Sequence, residues 1–382
     1  MTAQRRRYAL YLADLSRRRN LSNGIINYAL GLAGALPDQL RDDEQLVLLA
    51  NADIVAELGA AAHHPRVEVV TLAAPQGRME RLQLDHLGVL DAVRRSSASI
   101  VHFPKGNLPI AASRLRTPTV VTLHDDIPWQ YVRRRLRGGM PYAQAIYFAG
   151  MNLLSWNRAD RVLLVSNFAA TQLAAVPMAR ERSSSEAIVT SEGISWRDDL
   201  MTPLSERTPQ VLHLGSPLGH KQSARAISWT GEHLRSRGDG LRLRVIGPLS
   251  TEGEDAAAAA GADRVRDFVP ADALSHELAT SRALVFSSDY EAFGLPPVEA
   301  YASGTPATFP TVTAMSEVMA GLPGGHAPGD RTAFEQSIDA VLALTDDDLV
   351  TLQQTVRDRY AWARCAGATA QVYRSLGPGP ND

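Results

Sequence analysis

Short apolar runs alternate with longer stretches in which apolar residues recur every three or four positions. The runs predict β-strands at Tyr8–Leu12, Leu46–Leu49, Val67–Thr71, Ile100–Phe103, Thr119–Leu123 and Arg161–Val165. Between them, Ile25–Leu36 and Met140–Trp156 carry helical spacing. Strand–helix alternation of this kind predicts a parallel, doubly wound sheet, because parallel neighbours need a crossover connection. The polar stretch 197–210, with Pro203 and Pro209, reads as a linker. The rhythm then restarts with strands at Val211–Leu214, Leu241–Ile246 and Ala283–Phe286, and a further candidate at Ala307–Phe309. Helices fit Gln222–Arg237, Ala271–Thr280, Pro297–Ser303 and Thr332–Leu344. The expected fold is α/β, with two Rossmann-like domains at 1–200 and 207–358 and a closing helix at 360–376 that joins the first. Ligands of such sheets gather at the carboxyl ends of the strands, expected here to face a central cleft. The tail 377–382 is expected to be disordered.

Composition narrows the class. A chain of 382 residues suits two domains of about 150 residues. With 45% hydrophobic and 21% charged residues and a net charge of −2, nothing draws the chain as a whole to nucleic acid or an anionic membrane. Cys365 is the only cysteine, so neither an intrachain disulfide nor a thiolate metal cluster can form. The apolar run after Arg5-Arg6-Arg7 is too short for a signal peptide, and no stretch approaches the ~20 apolar residues of a membrane span. A cytoplasmic location with at most peripheral membrane association is expected. Basic residues are almost all arginine; Lys105 and Lys221 are the only lysines, which raises the interest of where each falls.

The most informative run is Ser287-Ser288-Asp289-Tyr290-Glu291-Ala292-Phe293-Gly294-Leu295-Pro296-Pro297-Val298-Glu299-Ala300. It follows a predicted strand and enters a predicted helix. Pro297 suits the first helical position and Gly304 the stop, which puts Glu299 in the first turn. Backbone amides of Phe293, Gly294 and Leu295 at a tight turn before a helix make an anion site. Taken singly, Glu299 is as well explained by capping and Gly294 by the turn.

Taken together, two glutamates with seven residues between them, around Phe293-Gly294-Leu295-Pro296 and followed by Ala300, Ala302, Gly304 and Pro306, resemble the signature of retaining GT-B nucleotide-sugar glycosyltransferases of family four, the group 1 family. The family's first glycine is Ala292 here. The resemblance implies that Glu291 accepts hydrogen bonds from donor-sugar hydroxyls and Glu299 binds the ribose diol, a task for acceptor-only carboxylates. It further implies that amides near Phe293, Gly294 and Leu295 hold the sugar and the distal phosphate.

Other segments extend the resemblance over residues 8–375. Gly215-Ser216-Pro217-Leu218-Gly219-His220-Lys221 resembles the element whose arginine and lysine neutralise the diphosphate; Lys221 matches, whereas Ser216 stands where the arginine is expected. His220 has no matching role and is read as a surface residue. His124, in Leu123-His124-Asp125-Asp126, matches the family's strand-end histidine beside the anomeric carbon, with Asp125 a candidate acceptor ligand. His102 also ends a strand but reads as structural. Gly24 and Tyr28 resemble the family's glycine loop after the first strand, and Phe268-Val269-Pro270 the segment that seats the base, with Val269 the donor contact. No Gly-x-Gly-x-x-Gly is present, which argues against a dinucleotide oxidoreductase. Arg133-Arg134-Arg135 and Arg137 read as a basic helix face, either solvated or facing an anionic acceptor or membrane.

The implied activity is metal-independent transfer of a sugar from a UDP- or GDP-linked donor to an acceptor hydroxyl, with no further cofactor. Catalysis falls to His124, Lys221 and Glu291. The acceptor is either a small secondary metabolite, such as an aminocyclitol or other antibiotic core, which is preferred, or a lipid-linked or cell-envelope glycan. A non-catalytic nucleotide-sugar-binding protein is a second class, kept open by Ser216, and a nucleotide-sugar epimerase a third. Oligomeric state is not encoded in any motif.

Overall fold

The computed structural model describes residues 5–17, 23–73, 88–136, 140–197, 202–267 and 269–376. The expected disordered tail, Leu21, Ser22, Arg137 and Phe268 lie outside the described residues. The chain forms two compact units. One comprises 1–129, 146–193 and 360–382, and the other 130–145 and 194–359. Residues 130–145, which the sequence places in the first domain, cluster with the second unit.

The first unit carries β1 (Arg6–Tyr11), β2 (Glu44–Asn51), β3 (Val67–Leu72), β4 (Ile100–Phe103), β5 (Thr119–Leu123), β6 (Arg161–Leu164) and β7 (Ala187–Val189). They pair in parallel in the order β3-β2-β1-β4-β5-β6-β7. Side chains of a strand alternate between faces, so β1 supplies two cores. Tyr8 and Leu10 join Leu32, Val120 and Tyr373 on one face, and Ala9 and Tyr11 join Val93, Phe103 and Trp156 on the other. The closing helix Trp362–Leu376 seals the first of these cores. Its Trp362 indole lies against Gly31 and Gly193, where any Cβ would collide with it. Arg374 adds a bidentate pair to buried Glu44 at 2.9 and 2.7 Å.

The second unit carries β8 (Gln210–Leu214), β9 (Arg242–Ile246), β10 (Asp263–Val265), β11 (Ala283–Val285), β12 (Ala307–Pro310) and β13 (Gly325–His326), all parallel in the order β10-β9-β8-β11-β12-β13. Both sheets thus have the doubly wound order, and the winding reverses between β1 and β4 in one and between β8 and β11 in the other. Those are the switch points at which such sheets bind ligands. Among the described residues no helix is long and apolar enough to cross a membrane.

Three expectations need correction. The helix expected from Pro297 runs Leu295–Ala302, with Gly294 as its N-cap. Pro296 and Pro297 both fall in the first turn, where no intrahelical N–H is required. Glu299 therefore sits in the second turn rather than the first. Arg133–Arg135 lie beyond the helix Ile127–Val132, and Arg134 adopts φ +56°, so they form no helix face. The polar stretch read as a linker buries Arg207, whose guanidinium donates to Thr202, Ser281, Thr305 Oγ1 and Gly304.

Candidate functional site

In the second unit the two loops at the switch point converge. Lys221, after β8, meets Glu291, after β11, with Nζ 2.5 Å from Oε1. Glu291 is buried and Lys221 half-buried. Ser287 Oγ donates to the Lys221 carbonyl at 2.8 Å, and the Asp289 amide to the His220 carbonyl at 2.8 Å, so the loops are laced together. Arg225 and Asp289 form a second pair at 2.8 Å across the same loops. The sequence-derived partners Lys221 and Glu291 are thus brought into contact over 70 residues of chain.

Two glycines shape this end of the sheet. Gly294 holds φ +94°, a left-handed conformation that favours glycine, and a Cβ there would collide with Met315 Sδ. Gly215 packs against the turn after β9: a Cβ would lie 3.0 Å from the Gly247 carbonyl oxygen and 3.1 Å from that of Pro248. Ser216 is a turn residue, its amide donating to Ser223 Oγ and its own Oγ accepting from the Leu218 amide. The helix Leu295–Ala302 has no side-chain cap at its start, and with Pro296 and Pro297 in its first turn the Leu295 amide is the only N–H among its first three residues. Its last carbonyls are satisfied, Ala302 accepting from Gln353 and Arg357. Glu299 and Val269 are half-buried.

His220, read as a surface residue, is buried, and neither ring nitrogen has a hydrogen-bond partner among the described residues. Burial, and then the neighbouring Lys221 charge, push its pKa down to about 4, so it is neutral at pH 7. The sequence held no signal for this, because the turn that buries His220 is closed by Ser288 and Asp289 from another strand end.

In the first unit His124 follows β5. Its Nδ1 lies 3.2 Å from Glu192 Oε1 and its Nε2 2.7 Å from the Pro104 carbonyl oxygen. Both partners are acceptors, which calls for an imidazolium donating from both nitrogens. Burial alone opposes that charge; the Glu192 carboxylate and the Pro104 carbonyl outweigh it, and the pKa is raised above the ordinary 6.5. The Tyr28 ring packs edge-on to His124 at 4.8 Å, and its hydroxyl meets Thr122. Thr122 also meets His102, which in turn reaches the Tyr373 hydroxyl at 2.7 Å. His102 is a satisfied core histidine, held down to about 3 by burial. Asp125 Oδ1 accepts from the Ile127 amide, and Gly24 is the second residue of the helix Asn23–Ala35. Glu192, the partner of His124, was missed because 68 residues separate the two.

A raised pKa stabilises the fold below the ordinary value, and that stabilisation is lost as pH rises through the folded-state value. Glu192→Ala leaves a buried charge unpaired and should cost about 3 kcal/mol in denaturant titrations near neutral pH. The gap to wild type should narrow at alkaline pH, where His124 is neutral; a gap independent of pH would contradict the charged pair.

The sequence matches the Glycosyl transferase 4-like domain family over residues 23–183 and the Glycosyl transferases group 1 family over 208–344. Over 117 residues it is 32% identical to O-antigen chain mannosyltransferase B of Escherichia coli; the match spans 30% of this chain and 30% of that protein. The fold resembles that of Anabaena Alr3699/HepE, solved with UDP and glucose, at 18% identity and a TM-score of 0.66, covering 96% of this chain and 99% of that one. It also resembles the lipopolysaccharide outer core galactosyltransferase WaaB, at 13% identity and a TM-score of 0.59, covering 97% and 99%. With two doubly wound sheets and a family match in each unit, the chain belongs to the group 1 glycosyltransferases of the GT-B fold.

Proposed function

We propose that the chain transfers a sugar from a UDP- or GDP-linked donor to an acceptor hydroxyl with retention of anomeric configuration, without a metal ion. The observation that carries this reading is the Lys221–Glu291 pair at the switch point of the second sheet. A buried carboxylate suits sugar hydroxyls, and the lysine beside it suits the phosphate that leaves. In the proposed step the anomeric carbon–phosphate oxygen bond breaks and a bond to the acceptor oxygen forms on the same face. The acceptor's proton passes to the departing diphosphate, so no enzyme nucleophile is needed. Lys221 and the Gly294 and Leu295 amides stabilise the developing charge, and catalysis consists of positioning and electrostatics. Glu299 takes the ribose diol, Val269 borders the base, and Gly215 and Ser216 shape the turn beside the diphosphate.

The preferred acceptor is a small polyhydroxylated metabolite, such as an aminocyclitol or another antibiotic core, met in the first unit by Asp125, with His124 the catalytic residue of that unit. A second reading, a cell-envelope glycan, is favoured by the 117-residue match to an O-antigen mannosyltransferase. Activity confined to polyprenyl-linked acceptors would select it.

A thermal-shift panel of UDP-, GDP- and dTDP-sugars tests the donor site. A nucleotide at a hundred times its Kd should stabilise by about 2.7 kcal/mol. Glu299→Ala should remove most of that gain; if nucleotide stabilisation is unchanged, the ribose assignment is wrong.

A further inference from the structure

The loop after β12 holds the Glu291 peptide from both sides. The Glu291 amide donates to Thr313 Oγ1 at 3.2 Å, and the Glu291 carbonyl oxygen accepts from the Ala314 amide at 3.3 Å. The Thr313 hydroxyl donates in turn to the Val312 carbonyl oxygen at 2.7 Å, which uses its one proton and leaves an oxygen lone pair for Glu291. Next in the chain, Met315 is fully buried and sits where a Cβ on Gly294 would collide with its sulfur. One loop thus packs against both ends of the turn 291–294.

Thr313 does this in a conformation that disfavours it. Its φ is +53°, and it is the only β-branched residue in the left-handed region among the described residues. There a Cβ crowds the backbone carbonyl, so glycine is the default occupant. A glycine would keep the path of the chain but leave the Glu291 amide without its acceptor. The side chain present at this glycine-like position is the one that supplies that acceptor. Gln222, directly after Lys221, has the same φ of +53°. Both members of the Lys221–Glu291 pair are therefore joined to left-handed residues that are not glycine. Strain of this kind gathers where a fold fixes functional groups against each other.

The consequence is geometric. Glu291 Oε1 stands 2.5 Å from Lys221 Nζ, and a displacement of the Glu291 peptide is carried to its carboxylate. A misplacement of about 1 Å in a positioned group costs about 10²-fold in rate.

We propose that Thr313 is the positioning residue of the Lys221–Glu291 pair: its hydroxyl, carried on a left-handed backbone, fixes the Glu291 peptide so that the carboxylate stays in register with the lysine. The assignment rests on the transferase reading above and adds to it a residue that acts through Glu291 rather than on the substrate.

The scarcity of lysine supplies the readout. Lysine-selective isotope labelling of the full chain gives two side-chain NMR signals, and Lys105, paired with Asp14 in the first unit, is the internal control. Glu291→Gln calibrates the shift that accompanies loss of the pair. Thr313→Gly and Thr313→Ala should each move the Lys221 signal at least halfway to that position and leave Lys105 in place. Thr313→Ser, which keeps the hydroxyl, should leave both in place. Glycine adopts this φ freely, so Thr313→Gly keeps the fold. Hydrolysis of UDP-glucose and GDP-mannose gives the second readout, taken with whichever donor wild type cleaves faster. Thr313→Gly should lower kcat about tenfold or more, with Thr313→Ser near wild type. The Kd of UDP or GDP should be unchanged, because Glu291 is assigned to the sugar. Wild-type Lys221 signals in both Thr313→Gly and Thr313→Ala would overturn the proposal, as would a Thr313→Ser variant as impaired as Thr313→Gly. Thermal shifts of wild type with UDP and GDP judge the transferase reading separately. With no shift from either, the donor site falls, while a displaced Lys221 signal in Thr313→Gly would still uphold the linkage from Thr313 through Glu291 to Lys221.

Discussion

Lys221→Met should lower kcat by about 10²- to 10³-fold, the usual effect of removing one strong donor from a developing anion. The substitution keeps the length of the stem, and the methionine fills the half-buried path of the lysine beside Glu291. Because Ser216 stands where a second cation is expected, and is a turn residue in the fold, Lys221 carries more of the phosphate charge than one member of a pair would. The loss should therefore fall on kcat and on the affinity for nucleoside diphosphate, with the acceptor KM unchanged. Steady-state kinetics with product inhibition by UDP or GDP separates these quantities. A loss below tenfold would show that another cation carries the leaving group, and Arg225, held by Asp289 at the same loop ends, would be the first to substitute.

Acid should unfold the second unit through its buried histidines. His213 and His220 are both pushed down to about 4 by burial, with Lys221 adding to the effect at His220. The sign follows from where each state takes up its proton. The unfolded chain protonates near 6.5 and the folded unit near 4, so stability is complete above pH 6.5 and is lost as pH falls toward 4. Each histidine should contribute a loss on the order of 3 kcal/mol over that range. His213 is anchored by the Val285 carbonyl at 3.0 Å, and its Nε2 has no partner among the described residues, so protonation adds a buried charge with nowhere to donate. His220→Asn should flatten the dependence of the urea midpoint on pH between 7 and 5. Parallel curves for variant and wild type would count against it.

Burial along most of their length makes β2, β4, β5 and β8 legible as apolar runs, and the partly exposed β3 and β9 are legible because each is long enough to carry a run. Strands β7, β10 and β13 end their sheets, are two or three residues long and are partly exposed, so no run betrays them. The helix Leu295–Ala302 was misplaced by two residues because its paired prolines fit either register. In the second unit the Glu291 to Glu299 run could be read directly, since one loop and one helix carry it. In the first unit His124 was legible but its chemistry was not. Glu192 meets His124, and Lys105 meets Asp14, only through the order of the sheet, 68 and 91 residues apart. Contacts of that span leave no periodicity to detect.

The closing helix has a consequence for how the chain matures. Tyr8, Glu44 and His102 all complete their contacts with Tyr373 and Arg374, which are translated after residues 194–359. Residues 194–359 emerge earlier and need only 130–145 from upstream. During synthesis the unit encoded second should therefore finish first, and the unit encoded first should wait, its apolar sheet face uncovered, for the helix Trp362–Leu376 to leave the ribosome.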